Sequence, residues 1–91
     1  MSNPSLSGAI TFENFPVMRQ RGIDAIDASP GEACLDIGGI DHANTLAVGA
    51  MVAWFRHGEH RNTRVKFINV PDDLRKIIRV SGLTDILLKE V

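Results

Sequence analysis

The sequence lacks several features that would assign it to a particular class of protein. It has one cysteine, Cys34, which excludes an internal disulfide and fits a reducing compartment. Lys and Arg number 10 against 11 Asp and Glu, so the basic surplus of a general nucleic-acid or anionic-membrane binder is missing. Low-complexity tracts and internal repeats are also missing. These absences favour a globular protein that does not bind nucleic acid.

The apolar stretches are too short to cross a membrane. The uncharged run over residues 45–55 is far below the roughly 20 residues that a spanning helix needs. The N-terminus MSNPSLSG has neither the basic start nor the apolar core of a signal peptide. We therefore expect no direct membrane insertion. A cytoplasmic protein is expected, associated with a membrane only through a partner complex.

The length and composition predict a single domain. The chain has 91 residues, of which 44% are hydrophobic and 23% charged. A domain of this size buries roughly 60% of its unfolded surface, which is enough to fold alone. We expect residues 1–8 to form a flexible N-terminus and residues 9–91 to form the domain.

Hydrophobic periodicity predicts strands that alternate with helices. Short strands are expected in GAITFEN, with Ile10 and Phe12 on one face, in ACLDI and in RVKFINV. Helices are expected in FPVMRQRGIDAIDASPG, ending by the turn at residues 27–32, in residues 45–57 and in PDDLRKIIRVSG. TDILL is expected to form an edge strand or a turn of helix. Gly82 is predicted to end the third helix in a left-handed cap. This order predicts an α/β fold with about four strands, partly parallel, and three or so packed helices.

The predicted helix at residues 45–57 is apolar on more than one face. Its bulky residues sort onto a face expected to pack on the sheet: Val48, Met51, Val52 and Phe55. Its remaining residues predict an apolar outer face: Leu46, Ala47, Ala50, Ala53 and Trp54. Such a face indicates a binding surface, and tryptophan is enriched at binding hot spots. The alternative is that the first helix or the C-terminal tail covers it.

Asn44 and Thr45 precede this apolar segment, where two roles are open. Either side chain can accept a hydrogen bond from the free N–H groups of the first helical turn, which stabilises a helix by roughly 1 kcal/mol. The same free N–H groups would also accommodate a phosphate on the Thr45 hydroxyl. Capping is favoured on physical grounds, and the two roles are compatible.

Three pieces of the chain carry a family resemblance: CLDIGGIDHANTLAVGAMV, RVKFINVPDDLRKIIRVSGL, and the short first strand that is followed directly by a helix. Together, over Ala9 to Leu88, they resemble the STAS domain, the small α/β module of bacterial anti-sigma factor antagonists and related proteins. CLDIGGIDHANTLAVGAMV is similar to the strand, turn and helix in which a hydroxyl residue opens the helix. RVKFINVPDDLRKIIRVSGL is similar to the family's last strand and helix, which end in Ser-Gly-Leu. The short first strand and Trp54 before an arginine most resemble the single-domain STAS subunit of Mla-type lipid-asymmetry ABC transporters.

The resemblance implies a role for Thr45. In the antagonist branch the matching hydroxyl is phosphorylated by an anti-sigma kinase, whereas in the transporter branch this region touches the ATPase subunit. Asn44 stands where the family usually has Asp, and Leu46 and Ala47 replace a small residue and a glycine. These departures favour a constitutive contact over a phosphorylation site.

Other chemistry-bearing residues do not form a convincing site in the sequence. His57 and His60 lie three residues apart, but further metal ligands are few, so solvated histidines are favoured and Gly58 is expected to end the helix. Cys34, in a strand predicted to be buried, is expected to be an inert core thiol. We expect no cofactor and no catalytic constellation.

The resulting hypothesis is a non-enzymatic protein-interaction module. The resemblance implies a subunit that binds the ATPase of an Mla-type phospholipid-transport ABC complex, with Thr45 as partner contact or phospho-acceptor. The expected partner-binding residues are Asn44, Leu46, Ala47, Ala50 and Trp54. The alternative is an anti-sigma factor antagonist that binds an anti-sigma kinase and is switched by phosphorylation at Thr45.

Overall fold

In the computed structural model, which describes residues 6–88, strands and helices alternate much as the periodicity predicts. The elements are, in order, β1 (Gly8–Ala9), α1 (Phe15–Asp27), β2 (Glu32–Asp36), β3 (Ile40–Asp41), α2 (Thr45–His60), β4 (Arg64–Ile68), α3 (Asp72–Val80) and α4 (Thr84–Leu87). The α/β class is confirmed, and TDILL forms the helical turn α4 rather than a strand. Residues 1–5, which the sequence predicts to be flexible, lie outside the described residues. The same holds for residues 89–91, which the sequence assigns to the domain.

Within residues 6–88 the strands pair in parallel, in two sheets of two strands each, whereas the sequence predicts one mixed, partly parallel sheet of about four strands. β1 pairs with β3, and β2 pairs with β4 in a register that places Leu35 opposite Phe67. Parallel neighbours need a crossover connection, and α2 supplies it between β2 and β4. A backbone hydrogen bond from the Leu6 N–H to the Asp36 carbonyl, 3.0 Å long, joins the segment before β1 to the end of β2.

The N-terminal boundary of the domain differs from the prediction. Leu6 is 4% exposed and belongs to the hydrophobic core, so the ordered fold begins before residue 9. β1 ends at Ala9, and Phe12 lies in the turn that follows instead of in a strand. This turn is closed by reciprocal hydrogen bonds. The Thr11 N–H donates to Asn14 Oδ1 (2.8 Å), and the Asn14 N–H donates to Thr11 Oγ1 (3.2 Å).

Helix α2 is the central helix, in contact with α1, α3, α4 and β4. A helix that is apolar on all sides is stable where neighbours cover it on all sides. The prediction that this face of α2 is exposed to a partner is therefore wrong, because Ala47, Ala50 and Trp54 are at most 1% exposed. α1 covers Trp54, whose Nε1–H donates a 3.0 Å hydrogen bond to the Arg19 carbonyl, and a side chain at Gly22 would overlap the indole.

The ends of the helices show how glycine is used. The predicted end of α2 at Gly58 is wrong, since the helix continues to His60 and Gly58 is buried where a side chain would overlap Val65. Asn62, with φ of 54°, makes the left-handed turn after α2.

The predicted left-handed cap of α3 at Gly82 is confirmed. Gly82 has φ of 73°, and the next N–H, of Leu83, donates to a carbonyl in the last turn of α3.

Candidate functional site

The start of α2 is fixed by the side chain of Asn44. Its Oδ1 accepts a 2.9 Å hydrogen bond from the Ala47 N–H, which is the N-cap interaction that the sequence predicts. Its Nδ2 donates a 3.2 Å bond to the carbonyl of Ile10, 34 residues away. Asn44 therefore caps the helix and ties it to the segment after β1. A carboxylate at this position would accept the first bond but could not donate the second.

Thr45 is the first residue of α2 and its side chain is exposed. Asn44 already provides the cap, so the Thr45 hydroxyl is left available to an external group. The position also lies at the positive end of the helix dipole, where negative charge is stabilised. Leu46, the next residue, is half-buried and packs against the core. The roles of these residues in partner binding remain predictions.

The expected partner-binding residues divide into two groups in the structure. Asn44, Thr45 and Leu46 lie together at the start of α2, where Thr45 is exposed and the other two are half-buried. Ala47, Ala50 and Trp54 are buried and present no surface to a partner. The physical reason is that α1 packs on the side of α2 that carries these three residues. The sequence left this covering by the first helix open as an alternative.

Phe12 is an exposed aromatic residue, although the alternating pattern predicts it in a strand, on the same face as Ile10. Its side chain is 85% exposed, whereas Ile10, two residues earlier, is 1% exposed. The bond from Asn44 to the Ile10 carbonyl holds this turn beside the start of α2. The alternation of apolar and polar residues could not reveal that Phe12 is exposed, because the strand ends at Ala9. The polar turn residues Thr11 and Asn14 were the available signal.

The true outer face of α2 begins at Thr45. The exposed residues of α2 form a stripe within about 100° on one side of the helix. They are Thr45, Gly49, Arg56, Glu59 and His60. Half-buried Val52 lies between its two ends. The stripe is uncharged near Thr45, and toward the C-terminus of the helix it carries Arg56, Glu59 and His60.

Another cavity lies at the C-terminal end of α2. It has a volume of about 480 Å³ and is lined by residues of α2, β4 and α4. Its apolar lining includes Phe55, Phe67 and Ile86, while Lys66 and Asp85 contribute opposite charges. Thr45 does not line it, so this cavity is separate from the start of α2.

Cys34 and His57 both lie in surroundings that differ from the predicted ones. Cys34 is half-buried instead of buried, since Ala33 and Leu35 on the other face of β2 form the core. His57 is paired with Asp27, its Nε2 lying 2.8 Å from Asp27 Oδ1.

Within residues 6–88, no three His, Cys, Asp or Glu side chains come close enough to hold a metal ion. No helix in this part of the chain has both the length and the apolarity to cross a membrane.

Comparison with known proteins identifies the family of the chain. No curated protein matches it. A similar solved structure is a chain of the Acinetobacter MlaFEDB complex in its ATP-bound Vtrans2 conformation, with 32% sequence identity and a TM-score of 0.73. The likeness covers 91% of the present chain and 87% of that chain. Residues 5–89 match the family described as Mlab, STAS domain, and the chain therefore belongs to this STAS-domain family.

Proposed function

We propose that the chain is a non-enzymatic subunit that binds the ATPase subunit of an Mla-type phospholipid-transport ABC complex on the cytoplasmic side of a membrane. The observation that carries the proposal is the likeness, over nearly the whole length of both chains, to a chain of the MlaFEDB complex. The membership of residues 5–89 in the Mlab STAS-domain family supports the same role. The complex, and not the chain itself, would use ATP.

The contact with the ATPase is assigned to the start of α2 and the turn beside it. Thr45 offers an exposed hydroxyl, and Leu46 supports it from a half-buried position. Phe12 adds a large apolar side chain that is 85% exposed. Aromatic anchors surrounded by polar groups are typical of interface hot spots. The two hydrogen bonds of Asn44 hold both parts rigidly, which reduces the entropy lost on binding.

A second candidate is an anti-sigma factor antagonist switched by phosphate on Thr45. The exposure of Thr45 at the start of a 16-residue helix favours it, because phosphate is readily accommodated at a helix N-terminus. The candidates differ in their partner and in what the hydroxyl does. In the transporter subunit it is a contact, whereas in the switch it is the site of modification.

The partner can be identified by affinity capture. The tagged chain is expressed in its own cells, and the bound proteins are identified by mass spectrometry. We expect an ABC ATPase to be retained by the wild type and lost with Phe12→Ser. Val80→Ser is the matched control, since Val80 is 91% exposed on α3 and we expect it to retain the ATPase. Capture of an anti-sigma kinase and no ATPase would contradict the transporter role.

The role of the hydroxyl is tested by two substitutions at Thr45. If Thr45 is a constitutive contact, Thr45→Ala and Thr45→Glu both weaken binding to the captured partner. If it is a switch, Thr45→Glu abolishes binding while Thr45→Ala binds at least as tightly as the wild type. Mass measurement of the chain purified from its own cells shows directly whether a phosphate is carried at this position.

A further inference from the structure

A cleft between α1 and α2 concentrates positive charge on a chain with no basic surplus overall. The basic cleft has a volume of about 370 Å³, and its seven lining residues are Arg19, Gly49, Val52, Ala53, Arg56, His57 and His60. None of the seven is acidic, although the whole chain has 11 Asp and Glu against 10 Lys and Arg. Arg19 and Arg56 are therefore the charged side chains of this lining, and no carboxylate stands among the seven residues.

The carboxylates near the basic cleft leave most of its charge available. Asp27 Oδ1 lies 2.8 Å from His57 Nε2 and 3.3 Å from Arg61 Nε, so this carboxylate is shared between two basic groups. Glu59 lines an adjoining depression together with Arg56 and His60. Arg19 and Arg56 are both exposed, and neither is among the ion pairs formed within residues 6–88.

The basic cleft continues the surface assigned to the ATPase. Gly49, Arg56 and His60 belong both to its lining and to the exposed stripe that begins at Thr45. The apolar part of the cleft, Gly49, Val52 and Ala53, is small-sided, so a partner backbone can approach α2 closely there. A partner that touches Thr45 and follows α2 would reach the arginines about two to three helical turns later.

We propose that the basic cleft binds an acidic segment of the same ATPase partner, with Arg19 and Arg56 facing its carboxylates and Gly49, Val52 and Ala53 accommodating its apolar side chains. The inference rests on the proposed function, because the occupant belongs to the protein that contacts Thr45. Charge complementarity of this kind raises association rates and makes them sensitive to salt.

Charge reversal on α1 provides a matched test. Arg19 and Arg21 are both exposed on α1 but lie about 200° apart around it. Arg21 lines a separate shallow depression with Pro16 and Asp24. Binding is measured with the purified ATPase identified by capture, as association rate against salt concentration. We expect Arg19→Glu and Arg56→Glu each to lower the rate at low salt by about threefold to tenfold, and Arg21→Glu to change it less than about twofold.

The possible outcomes separate this inference from the proposed function. If Arg19→Glu and Arg56→Glu bind as the wild type does while Phe12→Ser weakens binding, the acidic segment is refuted and the ATPase role stands. An equal fall in association rate with Arg21→Glu would also refute the acidic segment, since the rate would then depend only on the net charge of the chain. Binding of the wild type to phosphatidylglycerol vesicles, lost with Arg19→Glu, would assign the cleft to a lipid surface instead. Failure of the wild type to bind any ATPase would overturn both.

Discussion

Replacement of Gly22 by alanine tests the packing that hides Trp54. Alanine inside a helix is normally more stable than glycine by roughly 1 kcal/mol. At Gly22, however, the added Cβ would overlap the Nε1, Cε2 and Cδ1 atoms of the indole. Trp54 is fully buried and bonded to the Arg19 carbonyl, so moving the indole away from the added Cβ would strain this bond and the surrounding core. The usual gain from Gly→Ala should therefore become a loss.

The size of the loss follows from three contributions. Overpacking of a core costs typically 1–3 kcal/mol. Displacement of the indole weakens the Nε1 hydrogen bond, which is worth about 1 kcal/mol. The helical preference for alanine returns roughly 1 kcal/mol. We expect Gly22→Ala to lower the free energy of unfolding by about 1–3 kcal/mol, which corresponds to a fall in Tm of roughly 4 °C or more in a domain of this size.

Gly49 provides the control for this experiment. It lies inside α2, is exposed, and a Cβ there would meet only Phe15 Cε2 at 3.9 Å, an ordinary contact. Gly49→Ala should therefore raise the stability by about 1 kcal/mol. Both variants are unfolded in urea and by heat, with tryptophan fluorescence as the signal. If Gly22→Ala is stabilised as much as Gly49→Ala, Trp54 does not pack against α1 as described.

Two further substitutions test the start of α2 and the role of Trp54. Asn44→Asp should keep the helix cap but lose the bond to the Ile10 carbonyl, so urea unfolding should show a loss of about 1–2 kcal/mol; unchanged stability would mean that the link to Ile10 is not formed. Trp54→Phe should lower stability by about 1–3 kcal/mol, because the Arg19 carbonyl loses its donor, while the folded variant binds the ATPase as tightly as the wild type. Weaker binding without loss of stability would make Trp54 a contact residue.

The elements that could be predicted from the sequence are those whose signals are local. α3 has a proline before it, two aspartates in its first turn and Gly82 after it, and it forms at Asp72–Val80. β3 has only two residues, Ile40 and Asp41, so it shows no periodicity. It is created by its pairing with β1, a contact that is distant along the chain.

The candidate site was predictable only in part, for a related reason. The Asn44 cap is local and was predicted, whereas the burial of Trp54 depends on where α1 crosses α2. A helical pattern shows which residues share a face, but on a helix that is apolar all round it does not show which face another element covers. Phe12 shows the opposite case, an apolar residue that is exposed where a strand is predicted. It belongs to an alternating pattern, but it lies in a turn and points to solvent.

The packing of α1 on α2 connects the core to the proposed interface. Because Gly22 has no side chain, α1 can lie close to α2 and enclose the indole of Trp54. Arg19 of α1 and Arg56 of α2 line the same cleft, and Thr45 lies on the same side of α2, outside that lining. In the proposed interface, Trp54 would therefore act indirectly, by fixing the two helices whose outer residues form the proposed surface. A substitution at Trp54 should disturb partner binding only to the extent that it disturbs this arrangement.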